Sequence, residues 1–436
     1  MGNPALKTTA RRSGFTDRSI DRLKYAHDAS HYLLVPQSVA TPVAKEEIAT
    51  LFRESHRQGV PLTFRSGGTS LSGQGVTNGT LVDTRMNFRL IEVLDDGARV
   101  RVQPGATVRQ VNARLSRFDR KLGPDPASEI ACTIGGVVAN NSSGMACGTA
   151  QNTYQTLESL IVVLPSGTIL DTGEAEADER MREREPELYA GLAGLRDRLR
   201  GNAASVRVVR QQFSMKNTMG YGVNAFLDFE RPVDILAHLI VGSEGTLGFI
   251  AEVTFRTVPI LPSAATGLAV FPSLSAATGA LPTLVAQGFG TIELMDATSL
   301  RVAQSGADTT TALAALKVDQ HAALLLEYLA EDPDDLARQR SAGESLLGSL
   351  DLVSPITLTS HARERADLWH IRKGLYAAAA SARPSDGAGP LPALHRGHGR
   401  AGARQSRLAQ GRARNRTDYG PVRTPPVWRR ALRHHD

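Results

Sequence analysis

The chain has 436 residues, 41% of them hydrophobic and 22% charged, which is enough for two domains with a sizeable core. Its two cysteines, Cys132 and Cys147, cannot supply four thiolates for an iron–sulfur cluster or structural zinc, and no stretch reaches the roughly 18 apolar residues of a spanning helix. The net charge of +6 does not mark a nucleic-acid binder, because from Pro384 onward eleven Arg and three Asp give +8 and leave residues 1–383 at −2.

Residues 1–33 are polar, with a short helical signal over Ser19 to Tyr25, and His31 reads as a packed or surface group. Lys45 to Gly59 carries Ile48, Leu51 and Phe52 among charges, the pattern of an amphipathic helix closed by Gly59. A strand over Val60 to Phe64 then leads into Arg65-Ser66-Gly67-Gly68-Thr69-Ser70-Leu71-Ser72-Gly73-Gln74, and a second strand follows at Thr80 to Thr84. Glycines let several N–H groups converge on one point, and Thr69, Ser70 and Ser72 add hydroxyls, which suits a pyrophosphate. On this loop alone a Gly/Ser surface turn is an equal reading.

Val100 to Gln103 reads as a strand, and Thr107 caps a helix to about Phe118. Small residues then dominate Gly123-Pro124-Asp125-Pro126-Ala127-Ser128 and the run from Thr133 through Gly135, Gly136, Asn140, Asn141, Ser142 and Ser143 to Gly144. A backbone so poor in side chains can lie against a flat ring system, with Asn140, Ser142 and Ser143 hydrogen-bonding at its edge. Leu157 to Leu164 and Thr168 to Asp171 form a strand pair, Glu174 to Leu199 a solvated helix, Pro232 to Ile240 a helix and Gly248 to Val258 a strand.

Beyond residue 262 the pattern is strand Gly267 to Phe271, helix Ser275 to Ala286, strand Thr291 to Met295, helices to about Leu316, strand Ala323 to Leu329 and helix Pro333 to Leu347. His361 to Ala382 is a further helix, on which Trp369, Arg372, Lys373 and Tyr376 share one face. A guanidinium between aromatic groups suits a carboxylate. The bare spacing favours the other reading, a snorkelling arginine on an ordinary amphipathic helix.

The two small-residue stretches, followed by Lys216 to Gly222 and Val241 to Gly248, closely resemble the flavin-binding domain of the vanillyl-alcohol oxidase and p-cresol methylhydroxylase (PCMH-type) family. The resemblance implies an α+β chain with an N-terminal extension at 1–33, a PCMH-type FAD-binding domain at 34–262 and an incomplete ferredoxin-like α+β substrate-capping domain at 263–383. FAD would be held by Arg65, Ser66, Gly67, Gly68, Thr69, Ser70, Leu71, Gln74, Pro124, Asp125, Thr133, Gly135, Gly136, Asn140, Ser142, Gly144, Glu244 and Gly245. The cradle has no His or Cys for a covalent link, so attachment is expected to be non-covalent.

Asn141 to Met145 and Gln151 to Tyr154 look most like the branch of D-lactate dehydrogenases, D-2-hydroxyglutarate dehydrogenases and the flavin subunit of glycolate oxidase. That implies oxidation of a small D-2-hydroxy acid, with Arg372 and Tyr376 on the substrate and electrons passed to quinone, a cytochrome or an iron–sulfur partner. A cytoplasmic location, or a peripheral one on the inner membrane face, goes with it. Nicotinamide and nucleoside triphosphatase readings lack their glycine motifs, and cell-wall precursor reductases of the same fold would require NADPH.

The branch places a Gly-His-x-x-Asp-Gly-Asn-x-His metal site and a later catalytic histidine after the arginine helix, and neither occurs between Pro384 and Asp436. No metal ligand and no catalytic base are therefore assigned. This tail lacks Ile, Phe, Met, Glu and Lys, so residues 384–436 are expected to be a disordered basic tail translated out of frame, ahead of the rival reading of a basic arm for nucleic acid or anionic lipid. An inactive FAD-binding fragment is the alternative function.

Overall fold

The structure, a computed structural model, describes residues 14–304 and 311–381; the expectation for the basic tail lies outside them. The described chain divides between Ile260 and Leu261 into two compact units.

The first unit carries two sheets. Ser38–Ala40 and Leu62–Arg65 both run parallel to Thr80–Asp83, and Phe15–Thr16 adds antiparallel at one edge. A parallel neighbour needs a crossover, and Lys45–Gln58 provides it. That helix buries Ile48, Ala49 and Leu51 and stops at Gly59, whose φ of 64° is the left-handed conformation of a helix C-cap.

The second sheet is built on the long strand Phe249–Pro259. It pairs antiparallel with Arg99–Val102 on one side and Leu157–Val163 on the other, and its far end takes Arg120–Leu122. Ile91–Leu94 and Ile169–Asp171 form the edges. Phe249 joins the two sheets, stacking on Phe64 with centroids 5.3 Å apart and meeting Phe88 edge-on at 5.4 Å.

Three differences from the sequence reading are local. The expected helix over 174–199 is two, Ala177–Arg184 and Pro186–Arg200, because Pro186 has no N–H to continue the first. Ala203–Phe213 is a helix where none was expected; Val206, Val209 and Phe213 recur at helical spacing, yet no residue of it is buried. Ile134–Ala139, inside the small-residue run, is also helical, although its two glycines argue against it.

The second unit is a three-stranded antiparallel sheet with Ala322–Ala330 between Ser263–Phe271 and Thr291–Met295. With Leu274–Ala286 after the first strand and Pro333–Gly348 after the third, it gives the ferredoxin-like order without a regular fourth strand. Residues 353–359 run along the open edge of Ser263–Phe271 instead. Val353 N–H donates to Val270 O, while Thr266 and Thr359 exchange two backbone hydrogen bonds, all at 2.9 Å.

Alternation splits the sheet into two faces. Ile292, Leu294, Leu324, Leu326 and Tyr328 form one core with the helices at 274–286 and 333–348. Met295, Ala323 and Leu325 face the other way and pack with Leu300 and with Ile371 of the helix Ala362–Ser381.

Candidate functional site

The strand Leu62–Arg65 delivers the chain into the cradle loop. A Cβ on Gly67 would stand 2.7 Å from Ala131 O and 3.1 Å from Thr133 N, so only glycine lets the loop lie against residues 131–133. Ser66 crosses the same junction. Its hydroxyl donates to Pro104 O at 3.0 Å and shares a hydrogen bond with the Thr133 hydroxyl. On the far side, Gly135 N–H donates to Pro104 O and Ile134 N–H to Ala106 O, which fixes the start of the short helix.

The C-terminal end of that helix meets the motif at 241–248. Gly242 N–H donates to Val138 O at 3.0 Å and Glu244 N–H to Ala139 O at 2.8 Å, while Asn140 Nδ2 donates to the Glu244 carboxylate at 2.7 Å. Burial raises the Glu244 pKa, and the Asn140 hydrogen bond works against that rise. Lys216 Nζ reaches Gly144 O at 3.3 Å, and Tyr221 Oη is 2.7 Å from Thr246 Oγ1. The four stretches singled out in the sequence thus converge in one unit.

Asp125 and Arg65 turn inward to the protein. The Asp125 carboxylate accepts Ala146 N–H at 2.8 Å and Cys147 N–H at 3.2 Å, and its own N–H donates to Ser143 O at 2.8 Å. The Arg65 guanidinium donates to the carbonyls of Tyr25, at 2.8 Å, and His27, and lies 5.8 Å over the Tyr25 ring. Arg65 therefore ties the segment before residue 33 to the base of the cradle. Ser70 donates to the Gln74 amide oxygen across the loop, Leu71 is exposed, and Pro124 is buried.

The residues fit a dinucleotide cofactor on two observations. Gly136 and Gly245 have no atom within 4 Å of where a Cβ would stand, so their backbones are bare. The hydroxyls of Ser143 and Ser243 are buried with no hydrogen-bond partner among the described residues, an arrangement that costs free energy until a ligand or water completes it. Ser243 and Pro104 were not among the residues expected from the sequence. Ser243 stands beside Glu244 in a stretch that was recognised, whereas Pro104 acts through its carbonyl, for which sequence offers no signal.

A family model described as a FAD binding domain matches residues 36–173, and one for the C-terminal domain of FAD linked oxidases matches residues 260–389. The chain belongs to the FAD-linked oxidase family. Glycolate oxidase subunit GlcD of Escherichia coli K12 is 28% identical to this chain over 375 residues, which is 84% of the chain and 63% of that protein. D-2-hydroxyglutarate dehydrogenase of Pantoea ananatis is 28% identical over 267 residues, covering 58% of the chain and 26% of the relative. The chain thus spans under two thirds of the length of these relatives. A solved alkyldihydroxyacetonephosphate synthase superposes with a TM-score of 0.56 at 16% identity, over 84% of this chain and 62% of that one, which shows the shared fold.

The second unit places Arg372 on the helix Ala362–Ser381, 5% exposed, with Nε and Nη2 on Glu293 Oε2 at 2.9 and 2.5 Å. Glu293 was not foreseen; a single acid in an apolar strand gives no spacing signal. The side chain of Tyr376 lies outside the described residues. Among the described residues no group of three His, Cys, Asp or Glu could hold a metal ion, and no helix is long and apolar enough to cross a membrane.

Proposed function

We propose that this protein is a FAD-dependent oxidoreductase that oxidises a small D-2-hydroxy acid of the D-lactate type. The observation that carries the reading is the convergence of four small-residue motifs around two buried, unpartnered serine hydroxyls in a chain of this family. FAD, when bound, supplies a two-electron acceptor for the hydride leaving the substrate carbon. Backbone N–H groups of 66–70, with Ser143 and Ser243, would hold it, without a covalent bond because the cradle has no His or Cys.

Arg372 binds the substrate carboxylate in this reading, with Tyr376 beside it, and so fixes which face of the hydroxy acid is presented. Electrons pass on to quinone, a cytochrome or an iron–sulfur protein, in the cytoplasm or at the inner membrane face. The proposed domains are 34–262 for FAD and 263–383 for the substrate. The composition of residues 384–436 favours a second reading, a FAD-binding fragment without turnover whose tail is out of frame.

Anaerobic addition of D-lactate to the FAD-loaded protein separates the two: bleaching of the flavin band supports the enzyme, and an unchanged band supports the fragment. Translation of the coding DNA in its other frames tests the tail. A Gly-His-x-x-Asp-Gly-Asn-x-His sequence is the expected outcome, and its absence overturns the out-of-frame reading.

A further inference from the structure

Two acid–arginine pairs lie under one helix on one face of the second unit's sheet. In the first row across the strands, Thr266, Glu327 and Thr291 stand side by side. Glu327 Oε2 accepts from Thr266 Oγ1 at 2.5 Å, Trp369 Nε1 at 2.7 Å and Arg365 Nη2 at 3.1 Å, while Arg365 Nε donates to Thr266 Oγ1 at 3.1 Å. In the next row Glu293 stands opposite Leu325 and takes Arg372. Arg365 and Arg372 are seven residues apart, two helical turns, so both project from the same side of the helix. The helix is pinned at two points and cannot roll.

The two pairs differ in what they leave open. Arg365 is shared between two strands, whereas Arg372 gives both Nε and Nη2 to one oxygen of one acid. That is a grip along the Nε–Nη2 edge of the guanidinium. No hydrogen bond among the described residues goes to Nη1. A planar guanidinium can take a carboxylate along either of two edges, Nε with Nη2 or Nη1 with Nη2. Glu293 fills the first and leaves the second.

We propose that Glu293 is a positioning residue, which fixes the plane of the Arg372 guanidinium so that a substrate carboxylate is captured end-on through Nη1 and Nη2. The role rests on the reading of Arg372 given under Proposed function. The surroundings suit it: Glu293 is 1% exposed, and Ile371, Met295 and Leu325 pack in the same layer, so water does not compete for the fixed edge. An arginine without this partner would keep its charge and lose its orientation.

The test is calorimetric titration of the FAD-loaded protein with pyruvate, a monocarboxylate that has no hydride to give. Wild type should bind and Arg372→Met should not, while Glu293→Gln should bind at least tenfold more weakly, with FAD affinity unchanged in each. Glu293→Asp, which keeps the charge, should fall between and serves where the glutamine variant does not fold. In an Arg372→Lys background the ammonium has no plane to orient, so adding Glu293→Gln should change pyruvate affinity less than twofold. Equal or tighter binding by Glu293→Gln, with Arg372→Met inactive in binding, overturns the positioning role alone. Wild-type binding by Arg372→Met overturns the reading of Arg372 and the proposal with it. A full tenfold loss in the lysine background also overturns it, since Glu293 would then act on the fold rather than through the guanidinium.

Discussion

A Cβ at Gly144 would stand 1.7 Å from the Asp125 carboxylate oxygen, so the two residues can only coexist with glycine at 144. Gly144 has φ 148°, far from what other residues adopt, and Asp125 uses the space to cap the N–H groups of Ala146 and Cys147. Gly144→Ala is expected to break this clamp. Asp125→Ala leaves two backbone donors unpaired, at about 1–3 kcal/mol for each that stays buried. Both variants should lower the thermal midpoint, and both should lose FAD on gel filtration.

The contact between Gly67 and residues 131–133 makes a narrower prediction. Gly67→Ala pushes the cradle loop off the start of the short helix. FAD affinity, followed by the quenching of flavin fluorescence on binding, should fall by tenfold or more while the circular dichroism spectrum stays that of wild type. Unchanged affinity would remove this junction from the cofactor site.

Non-covalent attachment predicts that acid precipitation of the FAD-loaded protein releases the flavin into the supernatant. A yellow pellet after washing is the contrary result.

His238 provides a pH dependence. Its Nδ1–H donates to Asp234 O at 2.9 Å, and its ring stacks on Phe229 with centroids 3.9 Å apart. Burial pushes its pKa below the ordinary 6.5. The unfolded chain then binds the proton more readily, so this contribution to stability is full above pH 6.5 and is lost as the pH falls through the folded value. Urea midpoints measured from pH 7.5 downward should decline. His238→Phe, which keeps the ring and removes the titration, should decline less over the same range.

Arg372→Met should weaken binding of a 2-hydroxy acid by about 2 to 5 kcal/mol, as when one partner of a desolvated charge pair is truncated. The measurement is a titration of flavin absorbance with pyruvate, which offers the same carboxylate but cannot reduce the flavin, and equal affinities would take Arg372 out of the site.

The sequence carried the parts of this structure whose physics is local. The glycines at 67–68, the Thr107 cap and the strand at 291–295 each declare a backbone conformation or a buried face from a few neighbouring residues. The destinations of individual polar groups were not local. Arg65 spends its guanidinium on carbonyls 38 and 40 residues away, and Arg372 meets an acid 79 residues away. Asp125 lies in a stretch that was recognised, yet its carboxylate is consumed by a turn 21 residues on. Partner choice of this kind depends on topology, and no spacing in the chain encodes it.

The irregular segment at 353–359 has a consequence for colloidal behaviour. It satisfies the outer edge of Ser263–Phe271 with three backbone hydrogen bonds in place of a full strand's ladder. Beneath it lies a nine-residue strand whose other residues include Ala264, Ala265, Ala269 and Phe271, with no charged side chain and no proline. An edge of that composition recruits a matching strand when it is bared. Fraying of seven residues, well short of global unfolding, would turn this protein into a template for its own copies, and turbidity on warming should precede loss of the far-UV signal.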